Sequence, residues 1–346
     1  MNVFVKRSDI EFELSLKFSN SEYLRHASYI EPIRYEQFAQ NLRVNQLVSQ
    51  LNRAYSALRL CSSRYDIFHP TFYHPYFLRH IGRKPLVLTF HDALSEKYGE
   101  RFPVFGANLT EAKRKLLQRA DAIISVSEAS KRDILTYFDI HPDKIKVIHL
   151  GNYLFESVPK EGQKIALPAR YVLFVGKRDN YKNFEQFWKA MTPILQADKD
   201  LRLVCAGGGS FTKEEYDWFQ KAYLAERVVH QPILDDGTLV QLYAGAQVFV
   251  FPSLMEGFGL PILEAMSSGC PVAATAGTSF DEIALDAAVY FEAEQTESIK
   301  TAIESVIYDP ARQATLRELG RARLPFFSSA KTAAQTLDVY KALVTA

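Results

Sequence analysis

The stretch from Phe249 to Thr275 constrains this chain most. Gln247-Val248-Phe249-Val250-Phe251 is a short apolar run suited to a buried strand, and Pro252-Ser253 ends it. Glu256-Gly257-Phe258-Gly259 follows as an acidic loop. Pro261 suits the first turn of a helix, where its missing N–H costs nothing. Ile262, Leu263 and Met266 give that helix an apolar face, and Gly269 is placed to stop it. Pro271 to Thr275 then resumes as a strand. Strand, loop, helix and strand in this order make one unit of a parallel α/β sheet.

Glu256 and Glu264 stand eight positions apart, one in the loop and one about a turn into the helix. The free N–H groups at a helix N-terminus suit phosphate, and carboxylates beside them accept hydrogen bonds from sugar hydroxyls. An arbitrary pair of glutamates is more often solvated, but the glycines beside Glu256 argue for a site. The run E-G-F-G-L-P-I-L-E-A-M-S-S-G-C-P-V resembles the donor-site motif of retaining glycosyltransferases of family 4, which have the two-domain GT-B fold. Ser267 stands where that family usually has alanine.

The resemblance implies transfer of a sugar from a nucleotide-diphosphate sugar to a hydroxyl acceptor, with retention at the anomeric carbon. It implies no metal and no cofactor other than the donor substrate. Glu256 would hold sugar hydroxyls near the reacting carbon and Glu264 the ribose, with Gly257 and the amides around Phe258, Gly259 and Leu260 on the diphosphate. A second loop, Gly176-Lys177-Arg178-Asp179-Asn180-Tyr181-Lys182-Asn183, follows a strand and opens a helix, so its cations can grip a diphosphate. Lys182 matches the family's lysine; the earlier basic residue is Lys177 or Arg178, and the Tyr-Lys-Asn-Phe form favours Arg178. His91, at a strand end before Asp92, would lie beside the donor sugar and face the acceptor. Gly207, Gly208 and Gly209 resemble a turn that lets the nucleotide approach backbone, although a simple tight turn fits the residues equally well. Ile233, Leu234 and Tyr243 fall where the family forms its base pocket, and helix packing is an equal reading of Tyr243.

Composition sets the frame. The 346 residues, 47% hydrophobic, are enough for two cored domains. No apolar run approaches the ~20 residues of a membrane span, and the N-terminus lacks a signal-peptide core. Three scattered cysteines (Cys61, Cys205, Cys270) give no disulfide framework or zinc spacing, so a cytoplasmic compartment is expected. Residues 1–150 carry 22 Lys and Arg against 16 Asp and Glu; the remainder carries 19 against 24. The basic first half suits a lipid-linked or glycan acceptor and peripheral contact with the inner membrane face, although ordinary scatter of surface charge fits equally well. No nucleic-acid-binding module is present.

The architecture expected is α/β: a first Rossmann-like domain over 1–150, a linker over 151–169, a nucleotide-sugar domain over 170–325, and a C-terminal helix over 326–346 that crosses back. Ile10 to Phe18 alternates as a strand, Tyr65 to His69 reads as another, and 297–322 reads as helical. No glycine precedes Gly82, so the strand and glycine-rich turn that open such a domain are expected to be missing. His69 and His74 read as core or surface residues before acceptor contacts. The Tyr-Lys-Asn-Phe loop resembles bacterial transferases of surface polysaccharide assembly, many of which use GDP-mannose. The alternative is a nucleotide-sugar-binding subunit without turnover.

Overall fold

The buried apolar runs of the first half become strands Val87–Phe90 (β1), Ala122–Ser125 (β2) and Ile145–Val147 (β3), paired in parallel in that order. The computed structural model describes residues 10–21, 24, 30–38, 41–62, 64–102, 104, 107–152, 164–233 and 235–345. Helices Leu42–Ser62 (α1), Leu94–Tyr98 (α2), Ala107–Arg119 (α3) and Glu128–Tyr137 (α4) surround this sheet. Its core joins Phe77, Leu88, Phe90, Leu116, Leu117, Ile123 and Ile134.

Two expected strands are not formed here. Ile10 to Phe18 keeps an alternating exposure but makes a single bridge among the described residues, Phe18 to Ile33. The amides of Lys17 and Phe18 donate instead to the Asn52 side chain on α1, at 3.1 and 2.9 Å. A side chain that takes these donors leaves no ladder to propagate. Tyr65 to His69 likewise contributes only the parallel bridge of Phe68 to Leu86. Residues 1–9 lie outside the described residues.

The second half gives Tyr171–Val175 (β4), Arg202–Ala206 (β5), Val228–Gln231 (β6), Val248–Phe251 (β7), Val272–Thr275 (β8) and Ala288–Phe291 (β9). They form one parallel sheet in the order β6-β5-β4-β7-β8-β9. The crossovers are Phe184–Ala197 (α5), Lys213–Lys221 (α6), Asp236–Gly245 (α7), Leu260–Ser267 (α8) and Ser279–Ala284 (α9). The chain winds outward from β4 to β6, then returns to β7 on the other side of β4. The crevice at the C-terminal ends of β4 and β7 is therefore the topological switch point, where ligands of such sheets bind.

The helical stretch expected over 297–322 forms as two helices, Thr296–Ile307 (α10) and Pro310–Arg323 (α11). Pro310 has no N–H to continue α10, and the Asp309 carboxylate caps α11 by accepting from the Arg312 amide at 2.9 Å. The last helix, Ser329–Thr345 (α12), crosses back to the first domain. Its Val339, Tyr340 and Leu343 pack on Val87, Ala122, Ile124 and Ile148. The fold is α/β with two parallel sheets on either side of a cleft.

Candidate active site

Both conspicuous loops start at the switch point. β4 leads into Gly176–Asn183, and β7 leads into Pro252–Gly259. The Leu254 amide donates to the Tyr181 carbonyl at 2.8 Å and ties the loops together. Across them Lys182 Nζ meets Glu256 Oε1 at 2.6 Å, both side chains less than a fifth exposed. Lys182 also lies over the Tyr181 and Phe251 rings, at 5.0 and 5.5 Å. Burial raises the Glu256 carboxyl above the usual carboxylate range, and Lys182 works against that rise.

The E-G-F-G loop is held by hydroxyls from both sides. Ser279 Oγ lies 2.9 and 2.8 Å from the carbonyls of Glu256 and Phe258. Ser127 and Ser130 reach across from the first domain to the Gly257 carbonyl, at 2.6 and 3.0 Å. A Cβ on Gly257 would stand 1.4 Å from the His91 carbonyl oxygen, so only glycine lets the loop pass the first domain there. Ser127 also caps α4 through the Ser130 amide, as its position predicts. Its second bond, to the opposite domain, had no signal in the sequence. Phe258 turns its ring inward against His149 and Phe327. Gly259 stands at the N-cap of α8, whose second residue, Pro261, follows exposed Leu260.

Glu264, on α8, accepts from the Tyr243 hydroxyl at 3.1 Å. Burial raises its carboxyl and this bond opposes the rise. Tyr243 is itself fully buried. Packed inside the domain, one of the two readings open for it, it positions Glu264 from behind.

Arg178 is reassigned. Its Nε donates to Glu215 Oε1 at 2.7 Å, and its Nη atoms donate to the carbonyls of Gly207, Gly209 and Ser210 at 3.2, 2.9 and 2.9 Å. The guanidinium sits 4.8 Å over the Phe211 ring. Glu215 is held in turn by a capping box with Thr212 at the start of α6. A planar fork saturated in this way fixes a turn rather than gripping a diphosphate. The turn it fixes is tight: Gly208 has φ +69°, and a Cβ there would stand 2.4 Å from the Gly176 carbonyl oxygen. Ile233 Cδ1 lies beside Gly207, while Leu234 falls outside the described residues. Lys177 is exposed at the same loop.

On the opposite wall, the His91 amide donates to the Tyr73 hydroxyl at 2.6 Å. Desolvation lowers the His91 pKa; Asp92 opposes this and Lys113 adds to it. Behind the His91-Asp92 turn Lys113 is fully buried. It donates to the Asp92 carbonyl, Ser95 Oγ and Glu96 Oε2 at 2.9, 3.0 and 2.9 Å. His69 bridges Thr89 and Tyr340 at 2.8 and 2.6 Å, and burial pushes its pKa down to about 4, so it serves as a neutral structural link. His74 accepts from the Tyr76 amide at 3.2 Å.

The chain matches the family model described as glycosyltransferase family 4 over residues 14–151, and that described as glycosyl transferases group 1 over residues 159–323. It is 30% identical to the O-antigen chain mannosyltransferase B of Escherichia coli over 290 residues, 80% of this chain and 74% of that protein. This chain belongs to the group 1 glycosyltransferases. It is also 29% identical to an MMP alpha-(1->4)-mannosyltransferase of Mycolicibacterium hassiacum over 243 residues, 67% of this chain and 56% of that one. Sucrose-phosphate synthase from Thermosynechococcus elongatus superposes with TM-score 0.69 at 21% identity, covering 93% of this chain and 82% of that one. Anabaena HepE, solved with UDP and glucose, superposes with TM-score 0.67 at 20% identity, covering 89% and 84%. Both structures share the GT-B architecture, with two parallel-sheet domains.

Proposed function

We propose that this glycosyltransferase moves a hexose, mannose from GDP-mannose in the first instance, to a hydroxyl of a glycan or lipid-linked acceptor in surface polysaccharide synthesis. The names of its mannosyltransferase relatives support mannose as the sugar. The observation that carries the reading is the Lys182–Glu256 pair at the switch point, closed by loops from β4 and β7.

A diphosphate entering there competes with Glu256 for Lys182. Lys182, with Lys177 and the amides of Gly259 and Leu260, then stabilises the charge that grows on the departing diphosphate. Electrostatic stabilisation of this kind, from donors already in place, is the main source of rate where no metal takes part. Glu256, released from the lysine, accepts hydrogen bonds from sugar hydroxyls near the reacting carbon. Glu264 takes the ribose, held in place by Tyr243. Gly207, Gly208 and Ile233 flank the nucleotide, and Arg178 acts on it through the turn. His91 faces the acceptor from the first domain. Transfer proceeds with retention, the leaving phosphate taking the acceptor proton. The protein works at the inner membrane face through its basic first domain; no described helix is long and apolar enough to cross a membrane.

The test is incubation of the purified chain with GDP-mannose, UDP-glucose and other nucleotide sugars, with and without chelator and with mannoside acceptors. Turnover of GDP-mannose in chelator, with an α-linked product by NMR, is expected. Donor binding without turnover or hydrolysis in every mixture would leave a binding subunit and overturn the enzyme reading.

A further inference from the structure

Helix α1 hides one face and presents the opposite one. Val48, Ser56 and Leu60 are buried against the first domain. Leu47, Leu51 and Leu58 are 55, 44 and 71% exposed, and Ala54 and Cys61 are exposed with them. These five residues follow one another at steps of four and three, so they form a single apolar stripe along the helix. At 1.5 Å per residue the helix is about 31 Å long. A continuous stripe of this kind is unlike the scattered surface leucines of ordinary proteins.

The charge around the stripe says what covers it. Leu42–Ser62 contains Arg43, Arg53 and Arg59 and no Asp or Glu. The segment Pro75 to Lys84 adds Arg79, Arg83 and Lys84, again with no acid. It borders the end of the stripe, where Cys61 Sγ lies 3.5 Å from His80 Nδ1. Arg43, Arg79, Arg83 and Lys84 are exposed. Arg59 pairs with Glu13 and Lys84 donates to the Tyr65 carbonyl, so part of this charge is already engaged. A second copy of the chain seated on the stripe would bring like charges together. A soluble polyanion would meet the cations and gain nothing from the leucines.

We propose that this face of α1 docks on an anionic lipid surface. Leu47, Leu51, Ala54 and Leu58 enter the boundary between headgroups and acyl chains, and the flanking cations meet lipid phosphates. The stripe gives a surface to the peripheral contact proposed above, and its purpose rests on that reading. Vesicle binding and sugar transfer are measured separately, so either can fail alone.

The experiment is co-sedimentation of the full chain with vesicles of phosphatidylcholine containing phosphatidylglycerol, and with phosphatidylcholine alone. Partition into the anionic vesicles on the order of tenfold stronger is expected, weakening with salt. The variant Leu51→Glu/Leu58→Glu, checked for folding by circular dichroism, should lose it while transfer to a soluble acceptor persists. Leu58→Trp should show a blue shift in fluorescence with anionic vesicles only, a readout that does not depend on a damaged helix. Three results overturn the proposal: no partition of the parent chain, a parent dimer that the glutamate variant converts to monomer, or binding lost in Arg79→Glu/Arg83→Glu but intact in the leucine variant.

Discussion

Two Lys–Glu pairs flank the cleft, and they differ in how fully they are satisfied. Lys113 and Glu96 meet at 2.9 Å with side chains 1 and 2% exposed. The three donors of Lys113 all have oxygen partners, and the Tyr73 and Phe90 rings lie 5.4 Å away. Lys182 and Glu256 meet at 2.6 Å with side chains 19 and 17% exposed, and Glu256 is the only hydrogen-bond acceptor Lys182 Nζ has among the described residues. A buried charge with every donor used is framework: nothing can enter without an unpaired ion being left behind. A charge with donors to spare can exchange partners, which a phosphate-binding lysine must do. The same chemistry therefore serves position on one wall and reaction on the other.

Breaking each pair should separate these roles. Lys182→Ala should lower kcat by roughly two to three orders of magnitude, the usual cost of removing one donor from a charge-stabilising site. The melting temperature should fall, but by less than in the Lys113 variant described next, because this pair keeps some exposure. The Glu256 carboxyl, already raised by burial, should titrate higher still once Lys182 is gone, as an NMR or kinetic pH profile would show. A variant that keeps its rate would remove Lys182 from the mechanism.

Lys113→Ala should behave in the opposite way. Truncation leaves Glu96 buried without its partner, and the expected loss is about 3–5 kcal/mol of unfolding free energy in urea denaturation. Any residual folded fraction should retain nucleotide binding, since the hydrogen-bond partners of Lys113 are Asp92, Ser95 and Glu96 and none belongs to the loops after β4 and β7. Equal effects of the two alanine variants on stability would erase the distinction between framework and site.

Smaller changes sharpen it. Tyr243→Phe removes the hydroxyl that donates to Glu264 and should cost about 1 kcal/mol of stability. Because that bond opposes the burial-driven rise of the Glu264 carboxyl, the variant should also titrate higher and weaken donor binding before it slows turnover.

The smallest effect concerns the interdomain contact at Glu282. Its carboxylate accepts from the Glu128 and Ala129 amides at the start of α4, at 2.9 and 3.3 Å, and from His149 Nε2 at 2.6 Å. Burial pushes this carboxyl up, but those bonds more than reverse it and hold it below the usual range. A depressed carboxyl stabilises the fold above its unfolded value of about 4.3, and the contribution is lost as pH falls through the lower folded value. Glu282→Gln should lower the melting temperature slightly across the neutral range, where the carboxylate contributes, and flatten the acid limb so that the variant and parent converge at low pH.

Much of the second domain is legible in the chain. The apolar runs of β4, β5, β7 and β8 are too short for helices, and Pro261 and Gly269 mark α8. The motif from Glu256 to Val272 is local, so spacing alone carries it. The first domain reads less well, because alternation over Ile10 to Phe18 reports a half-buried face without reporting whether a neighbour exists to complete a ladder.

What the sequence determined by itself is the set of elements and the residue types at the ends of β4 and β7. A strand, a turn residue or a helix start depends on neighbours a few positions away, and those neighbours are in the sequence. What only the tertiary structure decided is which charges remain available. Arg178 and Lys182 sit four positions apart with the same formal charge, yet Arg178 is spent on Glu215 and three carbonyls while Lys182 Nζ meets one acceptor, Glu256, among the described residues. The partners that make this difference come from α6, the Gly207–Gly209 turn and the loop after β7, tens of residues away. Folding brings them within hydrogen-bond range, and at that range desolvation and geometry, not residue type, decide what a charged side chain can do.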